Sequence, residues 1–220
     1  MQDCVLPTFD VLTDSQIQKI NENSIDVKYK KGESICRQNH PIAHMLFLKS
    51  GLVKLTRYYS EDKSPIVGIV GPEKFLCLIS VFYNKVYQTG GTALGESKVI
   101  YTNLEVFLDI LYNNGKYAVA ILRQISGSGY VMIERMIHIS YTQVPGRMAG
   151  LLLYFSKESC RSNTFVIPFS RQEIAEFIST TKETVSRTLT EFKSDRLIEL
   201  NGDLITLKSL DLIEKLSKVG

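Results

Sequence analysis

Phe169-Ser-Arg-Gln-Glu-Ile-Ala-Glu-Phe-Ile-Ser-Thr-Thr-Lys-Glu-Thr-Val-Ser-Arg-Thr-Leu-Thr-Glu-Phe192 contains two helix starts in succession. Ser170 with Glu173, and Thr180 with Glu183, have the spacing of a capping box, in which hydroxyl and carboxylate each accept from the other residue's backbone N–H. A short helix, a tight turn and a second helix are therefore predicted. Ile174, Ala175 and Ile178 on the first helix, with Val185, Leu189 and Phe192 on the second, supply the apolar faces that hold the pair together.

The opposite face of the second helix carries the chemistry. Lys182, Glu183, Ser186, Arg187 and Thr190 recur at helical spacing and project together away from that core. Arginine can bond a guanine edge through two donors, glutamate can accept from cytosine N4, and Ser or Thr hydroxyls suit base edges generally. The set is thus suited to a DNA major groove, with Arg187 as the guanine reader. Arg171 and Thr181 complete the candidate DNA-binding residues. Glu183 has a local alternative, satisfying backbone donors as a capping residue. Downstream, residues 197–200 and 204–207 flank Asn201-Gly202, a strong short-range hairpin signal, so the module should be winged. A winged helix-turn-helix can also serve protein contact alone.

Working outward, residues 116–141 switch to helical periodicity. Ala118, Leu122, Ile125, Gly129, Met132, Met136 and Ile139 follow alternating steps of four and three, the seam of a coiled coil between two copies of the chain. The rival reading is a core helix packed on its own domain, and a second apolar row at Tyr130, Ile133 and Ile137 suggests that another face covers the β-rich part. Gly127 and Gly129 each weaken the helix by roughly 1 kcal/mol relative to alanine, but a small residue lets two helices approach closely. Val144-Pro145-Gly146 then interrupts the pattern and marks a boundary.

Earlier in the chain, residues 13–31 offer an entry helix capped by Thr13 or Asp14. Residues 25–102 read as short apolar runs at 45–48, 52–55 and 66–70, broken by Gly32, Pro41, Gly51 and Pro72. That texture predicts an antiparallel β-roll or barrel. The expected architecture is α+β: a β-roll sensor domain at 1–115, a dimerisation helix at 116–143 and a winged helix-turn-helix at 144–220.

The bulk numbers are permissive. Hydrophobic residues at 44% and charged residues at 22% exclude a wholly disordered or fibrous chain. A net charge of +3 does not announce nucleic-acid binding, and residues 147–220 hold eleven Lys/Arg against ten Asp/Glu, so any DNA-facing charge must come from placement. With no long apolar run and no signal-peptide pattern, a cytoplasmic protein with no membrane partner is expected. Cys4, Cys36, Cys77 and Cys160 lie far apart without C-x-x-C spacing, which argues for reduced thiols and against a zinc knuckle. A cupin-type metal enzyme would need two or three converging histidines. Only His40, His44 and His138 exist, with no nucleophile–base set or phosphate-cradling loop, so no catalysis is expected.

Arg171-Gln-Glu-Ile-Ala, Glu183-Thr-Val-Ser-Arg187 and Val144-Pro-Gly-Arg147 fall in the order found in the Crp/Fnr family of bacterial regulators, which the chain resembles over nearly its whole length. More loosely, Lys31-Gly-Glu33, residues 44–54 and Gly71-Pro-Glu-Lys-Phe75 resemble that family's cyclic-nucleotide-binding-type roll (jelly roll). The resemblance implies transcription regulation by a homodimer on double-stranded DNA, with RNA polymerase as a further partner and two recognition helices in successive major grooves. Glu183, Ser186 and Arg187 are similar to the oxygen-sensing branch, which implies a palindrome of TTGA-type half-sites. Ser179 departs from the family's usual turn glycine; a left-handed backbone there would cost serine about 1 kcal/mol or more.

For the sensor, the resemblance implies an effector pocket around Cys77, Leu78, Gln88, Thr89, Met132 and Ile133. Cyclic AMP is disfavoured, because Cys77-Leu78 stands where binders carry Gly-Glu, and residues 83–94 hold no arginine and only Lys85 as a cation. An iron–sulfur cluster is disfavoured by the lack of clustered N-terminal cysteines beyond Cys4. Haem could use a Cys77 thiolate, but no histidine follows it, and a buried thiol is the simpler reading. The alternatives left are an unidentified small-molecule effector and a ligand-independent dimeric scaffold.

Overall fold

The computed structural model describes residues 9–60, 64–159 and 161–219. They fall into two compact units, residues 9–60 with 68–132 and residues 64–67 with the described residues from 133 to 219. Cys4 and Cys160 lie outside the described residues.

In the first unit, α1 (Asp14–Glu22) begins with a complete capping box: Thr13 Oγ1 accepts from the Gln16 N–H at 3.3 Å and Gln16 Oε1 from the Thr13 N–H at 3.1 Å. The helix expected over 13–31 ends earlier, at Glu22. From Ser24 the side chains alternate with period two, and the chain becomes a strand that pairs antiparallel with residues 97–102. The strands are β1 (Ser24–Tyr29), β2 (Ser34–Cys36), β3 (His44–Ser50), β4 (Val53–Thr56), β5 (Ile66–Val70), β6 (Lys74–Leu76), β7 (Gly90–Ala93) and β8 (Ser97–Asn103). They form two four-stranded sheets, β1-β8-β3-β6 and β2-β7-β4-β5, the expected antiparallel roll.

Met45, Leu46, Leu48, Val53, Leu76 and Val99 are almost fully buried in its core. One short helix, α2 (Leu78–Tyr83), follows β6; a second, α3 (Leu104–Asn113), is capped by Asn103 Oδ1 and buries Phe107 and Ile110. Phe47, Phe75, Phe107 and Tyr117 run edge to face, with centroids 5.1, 5.7 and 6.0 Å apart. Gly51 has φ +98°, and a Cβ there would stand 2.6 Å from Ser97 Cα, so only glycine lets the turn after β3 pass β8.

The long helix α4 spans Gly115–Tyr141 and contributes to both units. Its contact with the roll is made by Tyr117, Ala120 and Ile121, which are buried. Ile125, placed on the outward seam by the heptad pattern, packs partly against the roll core instead. The row Tyr130, Ile133 and Ile137, expected to cover the β-rich part, stays about half exposed. The first three turns of α4 carry that contact because Tyr117 and Ile121, one turn apart, share a face.

In the second unit, Val144-Pro145-Gly146 opens a new helix, α5 (Val144–Tyr154). Proline is tolerated there because the first helical N–H groups have no intrahelical acceptor. A π-helical turn follows at Phe155–Ser159, then β9 (Thr164–Val166), α6 (Arg171–Phe177), α7 (Lys182–Ser194), β10 (Ile198–Asn201), β11 (Leu204–Leu207) and α8 (Leu210–Val219). The core joins Met148, Leu152 and Phe155 with Ile174, Val185, Leu189, Ile205 and Ile213.

Candidate functional site

The helix-turn-helix is built from local signals. Ser170 Oγ accepts from the Glu173 N–H at 3.2 Å, and Glu173 Oε2 accepts from the Ser170 N–H at 2.8 Å, the expected capping box. The second cap lies one residue later than its spacing suggested. Thr181 is the N-cap of α7 and accepts from the Thr184 N–H at 3.2 Å, so Thr180 and Glu183 form no box. With Lys182 as the first helical residue, Glu183 sits one position short of the reciprocal place. Its carboxylate instead meets its own backbone N–H and the Thr181 hydroxyl, which hold it below the usual carboxylate range.

Ile174, Ala175, Ile178, Val185, Leu189 and Phe192 are all buried, as the apolar pattern requires. Lys182, Glu183, Ser186, Arg187 and Thr190 are all exposed on the other side of α7, and Arg171 is half-buried at the start of α6. Ser186 Oγ donates to Lys182 O at 3.1 Å and Thr190 Oγ1 to Ser186 O at 2.9 Å, which leaves their oxygens outward as acceptors. The Arg187 side chain is 70% exposed, and Glu191 Oε1 stands 3.8 Å from Arg187 Nε. Such an exposed pair holds the guanidinium weakly and leaves it free to be redirected.

The turn between α6 and α7 is left-handed at Ser179, φ +57°, so the serine takes the costly conformation rather than a different bend. Two arginines hold it. Arg147 Nε donates to Ile178 O at 2.7 Å and Nη2 to Ser179 O at 3.3 Å, while Nη1 reaches Thr142 O and Ile139 O. Arg135 donates to Phe177 O at 2.9 Å, to Ile66 O at 3.1 Å and to Val67 O at 2.7 Å, with its guanidinium 4.1 Å from the Phe177 ring centroid. Both cations thus neutralise the C-terminal carbonyls of α6. Nothing in the linear spacing pointed to Arg135, since its partners lie on other elements.

The wing is present. β10 and β11 pair antiparallel with Asn201 opposite Leu204, so the two-residue loop is Gly202-Asp203 rather than Asn201-Gly202. Gly202 takes φ +60° at the first loop position, which glycine adopts without strain. β9 pairs with β11 and widens the wing to three strands.

In the roll, four of the expected pocket residues gather near α2. Cys77 is its N-cap in a left-handed conformation, φ +55°, and Leu78 is buried behind it. Cys77 Sγ lies 3.5 Å from Thr89 Oγ1 and 3.8 Å from Cys36 Sγ. The hydrogen bond with Cys36 holds the Cys77 thiol below its ordinary value despite burial; the same contact, then burial, pushes the Cys36 thiol up. Gln88 Nε2 donates to Asn84 Oδ1 at 3.0 Å and to Val86 O at 3.1 Å, so its donors are taken locally. Met132 and Ile133 are about half exposed on α4. A cyclic nucleotide needs free donors and a cation for its phosphate; here the Gln88 donors are engaged locally, and Lys85 is the only cation in residues 83–94. Among the described residues, no group of three or more His, Cys, Asp or Glu could hold a metal ion, and no helix is long and apolar enough to cross a membrane.

Comparison with known proteins matches residues 26–114 to the cyclic nucleotide-binding domain and residues 146–216 to the Crp-like helix-turn-helix domain. The chain is 19% identical over 205 residues to the CRP-like cAMP-activated global transcriptional regulator of Mycobacterium tuberculosis (strain ATCC 25618 / H37Rv), covering 91% of this chain and 92% of that one. It is 24% identical over 177 residues to the transcriptional activator protein FnrA of Stutzerimonas stutzeri, covering 79% and 72%. The structure of FixK2 from Bradyrhizobium japonicum superposes with a TM-score of 0.81 at 17% identity, covering 90% and 98%. These relatives are regulators, not enzymes. With both domains matched in order, the chain belongs to the Crp/Fnr family of transcription regulators and carries that family's helix-turn-helix DNA-binding domain.

Proposed function

We propose that the protein is a homodimeric, sequence-specific regulator that lays α7 in the major groove of a palindromic, TTGA-like operator. The observation that carries this reading is the division of α7 into a buried face at Val185, Leu189 and Phe192 and an exposed polar face at Lys182, Glu183, Ser186, Arg187 and Thr190. Arg187 reads guanine, Glu183 and Ser186 address neighbouring bases, and Arg171, Thr181, Lys182 and Thr190 complete the interface.

Dimerisation is supported by α4. Leu122, Met132 and Met136 are 60%, 51% and 69% exposed, an uncovered apolar stripe along a helix whose buried residues face the roll. A Cβ at Gly129 would meet nothing within 4 Å, so the single chain leaves that position open for a close helix approach. With Ile139 beyond them, Leu122, Gly129, Met132 and Met136 form the proposed interface, and Ile125, packed against the roll core, stands apart from it. Functionally, residues 1–115 sense, 116–143 dimerise and 144–220 bind DNA in the cytoplasm, with RNA polymerase as the further partner. The effector is an unidentified small molecule; Cys77-Leu78 in place of Gly-Glu, with Lys85 the only cation in residues 83–94, disfavours a cyclic nucleotide.

Selection of preferred sites from random duplex DNA, with the mass of the bound species recorded, tests the reading. Enrichment of a TTGA-like palindrome on a dimer is the expected result. A sequence preference carried by a monomer would remove the dimer, and an enriched half-site without guanine would remove the Arg187 assignment.

A further inference from the structure

Cys36 and Cys77 are 41 residues apart, yet their sulfurs are neighbours in the core of the roll at 3.8 Å. Cys36 ends β2, whose sheet is β2-β7-β4-β5; Cys77 follows β6 of the other sheet. Two further features favour reaction between them. Cys77 is held at φ +55°, where a side chain is strained, and strain of this kind commonly accompanies function. Across from it, a Cβ at Gly91 would stand 3.0 Å from Cys36 Sγ, so glycine is what gives that sulfur its room. Cys36 also lines an open depression of about 310 Å³ with Ser34, Arg37, His40 and Tyr87, which gives a small solute a route to it.

We propose that Cys36 and Cys77 are a redox-reactive dithiol that closes to an intramolecular disulfide when a hydroperoxide reaches the depression. The sulfurs must approach from 3.8 Å to about 2.05 Å, a shift of the order that side-chain rotation at both residues supplies. Cys77 Sγ, the sulfur that gives up its proton more readily, attacks one oxygen of hydrogen peroxide; the O–O bond breaks, a sulfenic acid forms on Cys77, and the released hydroxide takes the Cys77 proton as water. Cys36 Sγ then attacks the Cys77 sulfur, the S–S bond forms, the S–O bond breaks, and the Cys36 proton leaves with a second water. Two thiols lose two electrons and the peroxide gains them. The bond would staple the two sheets at the entrance to α2, whatever DNA sequence the protein reads.

The test uses the full chain carrying Cys4→Ser and Cys160→Ser, so that only the pair remains and neither of its members is altered. The protein is treated with hydrogen peroxide in its native state, then denatured, alkylated and weighed. Both thiols should become unreactive, the unalkylated mass should fall by two hydrogens, and dithiothreitol should restore both. Adding Cys36→Ser should abolish the hydrogen loss. Two thiols that stay reactive, a gain of oxygen without hydrogen loss, or a disulfide joining two chains would each overturn the proposal.

Discussion

The helix-turn-helix and the roll differ in how far apart the determining residues lie. In α6 and α7 the caps, the buried rows and the exposed polar face all sit within one or two turns of one another, so each feature acts through neighbours in sequence. In the roll the decisive contacts join Cys77 to Cys36 and Thr89, and Gly51 to Ser97, residues brought together only by the fold. Local chemistry can therefore be read along the chain, whereas sensor chemistry depends on pairing. Substitutions in the two regions can break or sharpen that contrast.

The largest effect is expected in the roll. Gly51→Ala should destabilise the protein by about 3 kcal/mol, combining a left-handed backbone with an overpacked contact on Ser97. Urea unfolding followed by circular dichroism would measure it; a loss below about 1 kcal/mol would mean that the turn after β3 is not pinned by β8.

Next comes Arg147→Met, which leaves the carbonyls of Ile178 and Ser179 without their cation. A loss of about 2 kcal/mol is expected, since hydrogen bonds to a charged group are the stronger kind. If the loss proves negligible, the turn is held by Arg135 and the α6–α7 apolar contact without Arg147.

Thr181→Ala should cost about 1 kcal/mol, while Thr180→Ala should cost little, because only Thr181 accepts from a helical N–H. The reverse ranking would restore the cap expected from the Thr180–Glu183 spacing. Smallest of all, Ser179→Gly should stabilise by about 0.5 kcal/mol, as relief of the left-handed strain is partly offset by glycine's greater unfolded freedom.

The same contrast explains what was legible in the sequence. The α+β architecture, the roll strands at 66–70 and near 45–48, the long helix and both helices of the reading module followed from periodicity and caps. The sequence and the structure differ by one residue where two signals compete locally: adjacent threonines at 180 and 181, and Asn201-Gly202 against Gly202-Asp203. The entry helix was overextended because Ile17 and Ile20 set a helical period that the alternation of Ile25, Val27 and Tyr29 then overrides. α5 was hidden because Val144-Pro145-Gly146 reads equally as a break and as a helix start. The Cys36–Cys77 contact and the Arg135 contacts carry no local signature, since every partner lies on another element.

The central claim, that the outer face of α7 reads DNA, is tested most directly by a double-mutant cycle between Arg187→Ala and replacement of one operator guanine. Removing Arg187 should weaken operator binding by roughly 1 to 3 kcal/mol, and changing its guanine should then cost the variant almost nothing more. If the variant still discriminates each operator base as strongly as the parent protein, Arg187 does not read the groove and the assignment of α7 as the recognition surface is wrong.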